Sequence, residues 1–195
     1  MLGAIGNDAE GKILIEMLQK AKVHTEAIAT LEDTKTGLAL IYVNNEGDNT
    51  IVVLPNANAK VDKIAIDAHI DLMHNCDIIL FQMEIPEETL YYAIELAHSL
   101  GKTIILNPAP APDAIPDNIL SKIDYLTPNE TELATLSGLP TDTLENIEKG
   151  AIATYLSQGK TIDEAIIFGN KTASITVTRV GAQSSIPSLD EVLQI

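Results

Sequence analysis

The chain has 195 residues, 46% of them hydrophobic with no Trp, two Phe and five Tyr, and a formal net charge of -16 from 28 acidic and 12 basic side chains. That length suits one domain, 1–195, and a core of Ile, Leu, Val and Ala suits helices packed on a parallel sheet. The charge repels phosphate backbones and anionic lipid, so nucleic-acid and membrane-surface roles are set aside, and an anionic ligand would need a local basic or backbone N–H site.

The chain opens with Gly3-x-x-Gly6-x-Asp8-x-x-Gly11, an acid among three glycines ahead of a helix. Capping and turn formation explain that run on spacing alone. Gly11 to Lys22 is predicted as a helix with Ile13, Leu14, Met17 and Leu18 on one face. Thr36 to Val43 is an apolar strand, 44–49 a turn, and Thr50 to Leu54 the returning strand, which makes 36–54 a hairpin. Its apolar residues fall on both faces. Lys63 to Met73 is predicted helical, ending near Asn75.

A regular rhythm follows. Asp77 to Gln82 is a buried strand, and Pro86 and Gly101 frame a helix carrying Leu90, Ala93, Ile94 and Ala97. Thr103 to Leu106 and Asp124 to Leu126 are further strands, and the alternation predicts βαβ units in a parallel sheet. Ligands in such sheets sit beyond the carboxyl ends of the strands, where Glu84, Asn107 and Asn129 fall. From Thr141 the pattern turns helical, with Leu144, Ile147, Ala151, Tyr155 and Leu156 on one side, so a continuous helix is expected across 144–156. A second helix is predicted from Ile162 to Thr178, with Thr161 and Glu164 as a capping box.

Cys76 stands alone, so no internal disulfide is possible, which suits a reducing cytoplasm. No apolar run approaches the ~18 residues that would suggest a membrane span, and the N-terminus has no leader-like pattern. His69, His74, Cys76 and Asp77 cluster in sequence, but their spacing does not fit common zinc patterns. Asn107-Pro108-Ala109-Pro110 reads as a rigid turn after a strand. Asn129 and Glu132, in Thr127-Pro128-Asn129-Glu130-Thr131-Glu132, lie three apart at a helix start. That pair suits either capping or the organisation of Mg²⁺, its waters and phosphate.

In their order, these segments resemble the ribokinase (PfkB) family of carbohydrate kinases. The resemblance rests on Gly3–Gly11, Thr36–Asn44, Phe81-Gln82-Met83-Glu84, Leu106–Pro110, Thr127–Glu132 and Val177-Thr178-Arg179-Val180-Gly181-Ala182-Gln183-Ser184-Ser185-Ile186-Pro187. It implies a Rossmann-like α/β fold, a mostly parallel sheet flanked by helices, with 36–54 as a small β lid. It implies transfer of the γ-phosphoryl group of ATP to the 5-hydroxyl of D-ribose, with Mg²⁺ and an activating K⁺. Separately, the apolar residues on both faces of a hairpin that is marginal alone lead to the expectation of a homodimer formed through the lid hairpin. Carried over, Glu84 resembles the carboxylate that holds sugar hydroxyls, and Ala39, Ile41 and Ile51 resemble lid residues over the sugar. Asn129 and Glu132 resemble the N-x-x-E motif that positions phosphate and Mg²⁺, and Asn170 a residue beside the adenine. Arg179, Gly181 and Ser185 resemble the K⁺ loop.

The family pattern also has parts without a match here. Its first strand, sugar-binding Asp and G-G-K-G-x-N motif would precede Met1. A further stretch, with the T-x-G turn, the anion hole and the catalytic Asp, would fall between Glu148 and Ala151. No acid of this chain is therefore assigned as the base, and the chain as written is expected to lack kinase activity. The alternative is a non-catalytic sugar- or nucleotide-binding, dimerising remnant of such a kinase.

Overall fold

The computed structural model describes residues 1–44, 49–137, 164, 167, 168, 171, 172, 174, 175, 178, 179 and 187–194. They belong to two compact units, one of Met1–Asn75 with Met83–Leu96, the other of Cys76–Gln82 with Ala97–Ile195.

In the first unit, β1 (Leu2–Gly6) runs parallel to β2 (Ala27–Leu31), with Leu2 opposite Ala27 and Gly6 opposite Leu31. Helix α1 (Ala9–Lys20) is the crossover between them, and the Asp8 carboxylate caps it by accepting from the Gly11 N–H at 2.9 Å. The inward face of α1 differs from the sequence expectation. Ile13 and Met17 are 56% and 40% exposed, whereas Leu14, Ile15 and Leu18 are half-buried. Gly11 sets that rotation, because a Cβ there would stand 2.6 Å from the Gly6 carbonyl oxygen. Only glycine lets the helix approach β1 so closely, and residues three, four and seven further on then share its face.

β3 (Leu38–Val43) and β4 (Asn49–Leu54) form the antiparallel hairpin, with Ile41 opposite Ile51. The strand starts two residues later than expected, because Thr36 bonds to Asp8 instead of extending the ladder. A 3-10 turn (Asn56–Lys60) follows. The helix expected over 63–73 is two short ones, α2 (Lys63–Ala68), capped by Asp62, and α3 (Ile70–His74). His69, at φ -122° and ψ 25°, lies outside the helical region between them.

In the second unit, β5 (Ile78–Gln82), β6 (Thr103–Asn107) and β7 (Tyr125–Leu126) form a parallel sheet in that order. Ile104, Ile105 and Leu106 are consecutive and all fully buried, as a central parallel strand covered on both faces requires. Helix α4 (Glu87–Ser99) comes between β5 and β6 in the chain, belongs to the first unit as far as Leu96, and has Leu90, Ala93, Ile94 and Ala97 fully buried. Pro86 accepts its first backbone bonds, and Gly101, at φ 68°, takes the left-handed turn after its end. The Asp124 carboxylate pins β7 to β6 by accepting from the Ile104 N–H at 2.7 Å.

α5 (Asp117–Leu120) and α6 (Glu130–Ser137) flank β7 in sequence, and α7 (Leu189–Leu193) begins at a Ser188–Glu191 capping box. Of the predicted helix over 162–178, residues 164, 167, 168, 171, 172, 174 and 175 are helical. The expected Thr161 cap and the continuous helix over 144–156 lie outside the described residues. Among the described residues, no helix is long and apolar enough to cross a membrane.

Candidate functional site

Two amide side chains stand at the carboxyl end of the parallel sheet. Gln82 and Asn107 pair at the carboxyl ends of β5 and β6. Beside them the Thr127 N–H donates to the Leu106 carbonyl at 2.9 Å, which fixes the exit of β7. Pro128 and Asn129 then turn the chain into α6. Asn107, expected just past its strand, is the last residue of β6, and Asn129 follows β7 by three residues.

Asn129 and Glu132 are bonded to each other. The Glu132 N–H donates to Asn129 Oδ1 at 2.7 Å, the Asn129 N–H donates to Glu132 Oε2 at 2.7 Å, and Asn129 Nδ2 donates to Glu132 Oε1 at 2.8 Å. This is the reciprocal pattern of a capping box with one additional side-chain bond. Glu132 is only 9% exposed, so its carboxylate is held rigid at the head of the helix.

Glu84 follows β5 by two residues, is exposed, and makes no hydrogen bond or ion pair with the described residues. On the hairpin, Ala39 and Ile41 face Val53 and Ile51 across the ladder, so Ala39, Ile41 and Ile51 share one face. Ile41 and Ile51 are 51% and 50% exposed. The opposite face, with Leu40, Tyr42 and Val52, is equally open.

Arg179 donates to Glu191 Oε1 at 2.5 Å. That bond, with those from Ser188, holds the Glu191 carboxyl down to about 2. The guanidinium thus pairs with the carboxylate that caps α7. Gly181, Ser185 and Asn170 lie outside the described residues.

The donor set bears on the implied Mg²⁺. A carboxylate oxygen suits a hard cation, but no group of three His, Cys, Asp or Glu side chains among the described residues could hold a metal ion. Glu132 therefore fits Mg²⁺ only through the ion's waters, with phosphates as its other partners. The described residues of the 178–187 segment offer no comparable observation for K⁺.

Sequence reading missed Thr36, a buried residue bonded to Asp8 across 28 positions. The only local signals were the Gly6-x-Asp8-x-x-Gly11 run and a threonine placed just before an apolar strand.

A family model of the pfkB carbohydrate kinases matches residues 1–151. The chain belongs to that family. It is 31% identical to the ribokinase of Staphylococcus aureus over 243 residues, covering 98% of this chain and 80% of that protein. The ribokinase of Schizosaccharomyces pombe is 29% identical over 247 residues, with 98% and 77% covered.

Among solved structures, Thermotoga maritima ribokinase is 31% identical, with a TM-score of 0.83 over 99% of this chain and 79% of that one. Arabidopsis thaliana ribokinase, solved with ribose and ATP, is 26% identical, with a TM-score of 0.87 over 99% and 80%. The α/β kinase fold expected from sequence is thus established. The alignment with the Staphylococcus aureus protein spans 243 residues, more than the 195 of this chain, so that relative holds residues with no counterpart here. The family model ends at residue 151.

Proposed function

We propose that the chain descends from an enzyme phosphorylating D-ribose at its 5-hydroxyl with ATP, and that it retains the sugar and nucleotide contacts. Similarity to ribokinases across 98% of the chain carries this reading. Glu84, exposed and unpaired among the described residues at the exit of β5, is free to take sugar hydroxyls. Ala39, Ile41 and Ile51 form one apolar face, which supports a lid over the sugar. The Asn129–Glu132 pair supports a phosphate and water-bound Mg²⁺ role, with Asn170 beside the adenine. The carbonyls of Arg179 and Gly181 with the Ser185 hydroxyl are assigned to K⁺. Cys76, the single cysteine and in no disulfide, suits a reducing cytoplasm.

One observation favours a second reading, a binding module without turnover. The alignment with the Staphylococcus aureus relative includes residues of that protein with no counterpart here, and the family resemblance expects the base and the anion hole to be among them. Proton removal by a positioned base contributes ~10²-fold or more to such a reaction. Release of ADP from ATP and Mg²⁺ that depends on ribose and exceeds a no-protein control establishes the kinase. Thermal stabilisation by ribose or ATP without turnover establishes the module.

The hairpin has a second open apolar face, of Leu38, Leu40, Tyr42, Val52 and Leu54, 41–64% exposed. With one face given to the sugar, the other is assigned to a second copy of the chain, since a two-stranded hairpin is marginal alone.

A further inference from the structure

The hairpin is tied to the rest of its unit at one buried node. Thr36, 5% exposed and two residues ahead of β3, makes three bonds there. Its N–H donates to Asp8 Oδ2 at 2.8 Å, its hydroxyl donates to Asp8 Oδ1 at 2.5 Å, and that hydroxyl accepts from the Gly6 N–H at 3.0 Å. Asp8 also caps α1 through Gly11. The exit of the hairpin reaches the same place, because Asn56 Nδ2 donates to the Thr36 carbonyl at 3.0 Å and the Ala57 N–H donates to the Lys35 carbonyl at 3.0 Å. The node is packed without slack. A Cβ on Gly6 would stand 2.5 Å from the Thr34 carbonyl oxygen, and one on Gly11 would stand 2.8 Å from the Thr36 hydroxyl.

We propose that Asp8 and Thr36 are positioning residues, a latch that sets the direction in which the β3–β4 hairpin leaves its unit and so places Ala39, Ile41 and Ile51 over the sugar. This rests on reading the hairpin as a lid. The geometry that supports it is the convergence of four pieces on one side-chain pair: the end of β1, the start of α1, and both roots of the hairpin. Without the Thr36 hydroxyl, the Gly6 N–H loses this partner, Asp8 Oδ1 keeps only the Gly11 N–H, and the entry strand is held to Asp8 by its backbone bond alone. Beyond the node, the described residues of its strands are exposed on both faces. Asp8 is the stronger half of the latch. A carboxylate accepting three donors stays ionised, and bonds to a charged acceptor exceed neutral ones.

The test measures position rather than stability. Spin labels are placed at Lys20→Cys on α1 and Tyr42→Cys on β3 in the Cys76→Ser chain, and the distance distribution between them is recorded by pulsed electron resonance. The parent should give one narrow distance. Thr36→Val should lose that single peak while circular dichroism stays that of the parent, and Thr36→Ser, which keeps the hydroxyl, should retain it. Asp8→Asn keeps the cap on Gly11 but weakens the bonds from Thr36, and it serves in place of Thr36→Val should that variant not fold. An unchanged narrow distance in a folded Thr36→Val or Asp8→Asn chain overturns the latch. Ribose added to the parent separates the two ideas. A broadening on mutation with no shift on ribose keeps the latch and rejects the lid, and a ribose-induced shift without broadening on mutation does the reverse.

Discussion

Replacing Glu132 by alanine removes two acceptors at once, the oxygens that receive the Asn129 N–H and Nδ2 at 2.7 and 2.8 Å. Bonds to a charged acceptor contribute ~1.5–3 kcal/mol each when dry, but Asn129 is half-buried and water replaces part of the loss, so about 2 kcal/mol is expected for the pair. For a chain of this size that lowers the unfolding midpoint by ~4–8 °C. Asn129→Ala removes the acceptor of the Glu132 N–H and should cost about 1 kcal/mol as an N-cap loss.

Because the two residues share their bonds, the double variant should fall short of the sum of the singles by about 1 kcal/mol. Glu132→Gln keeps a box-forming side chain and should cost well under 1 kcal/mol. Its removal of the charge should nevertheless abolish stabilisation by Mg-ATP while leaving stabilisation by ribose intact. Urea unfolding of the four proteins, with and without each ligand, measures all of this. Additive losses would refute the reciprocal box, and undiminished Mg-ATP stabilisation of Glu132→Gln would reduce the pair to a cap.

Two glycines of the opening run should behave oppositely. Gly6→Ala drives a Cβ to 2.5–2.7 Å from three backbone atoms of 34–36 and should destabilise by about 3 kcal/mol, whereas Gly3→Ala meets nothing within 4 Å and should stay within about 0.5 kcal/mol by urea unfolding. Acid should loosen the hairpin root. The Asp8 carboxyl is held down to about 2, chiefly by the Thr36 hydroxyl and then by the N–H groups of Thr36 and Gly11. A lowered folded value gives stability that is full above the ordinary value of 3.8 and is lost as pH falls through about 2. Asp8→Asn should flatten that part of an acid titration followed by hydrogen exchange at 34–37. Leu40→Asp, on the face assigned to a second copy, should yield monomers in sedimentation at micromolar concentration while ribose stabilisation persists.

The parts of this fold legible in sequence are those whose cause is local. The β5–α4–β6 segment could be read because Pro86 and Gly101 mark the helix ends and Leu90, Ala93, Ile94 and Ala97 repeat at helical spacing. The Asn129–Glu132 pair could be read for the same reason, since a cap acts over three residues. That capping role is visible in the bonds. The inward face of α1 was misjudged because hydrophobicity alone ranked Ile13 and Met17 above Gly11. The helix is oriented by how closely a glycine lets it approach β1, and that is a fact about β1.

Thr36 shows the same limit more sharply. Its partner is 28 residues away, and in sequence it looks like the first residue of a strand it does not join. A polar residue at 5% exposure needs partners, and Asp8 supplies both of its donors with one. The charge, the cap and the threonine are therefore one requirement: the carboxylate that starts α1 is satisfied only while the root of the hairpin is in place. A hairpin too exposed to order itself borrows its direction from the first βα turn. The glycines of the Gly6-x-Asp8-x-x-Gly11 run serve that same end by letting the backbones close around the pair.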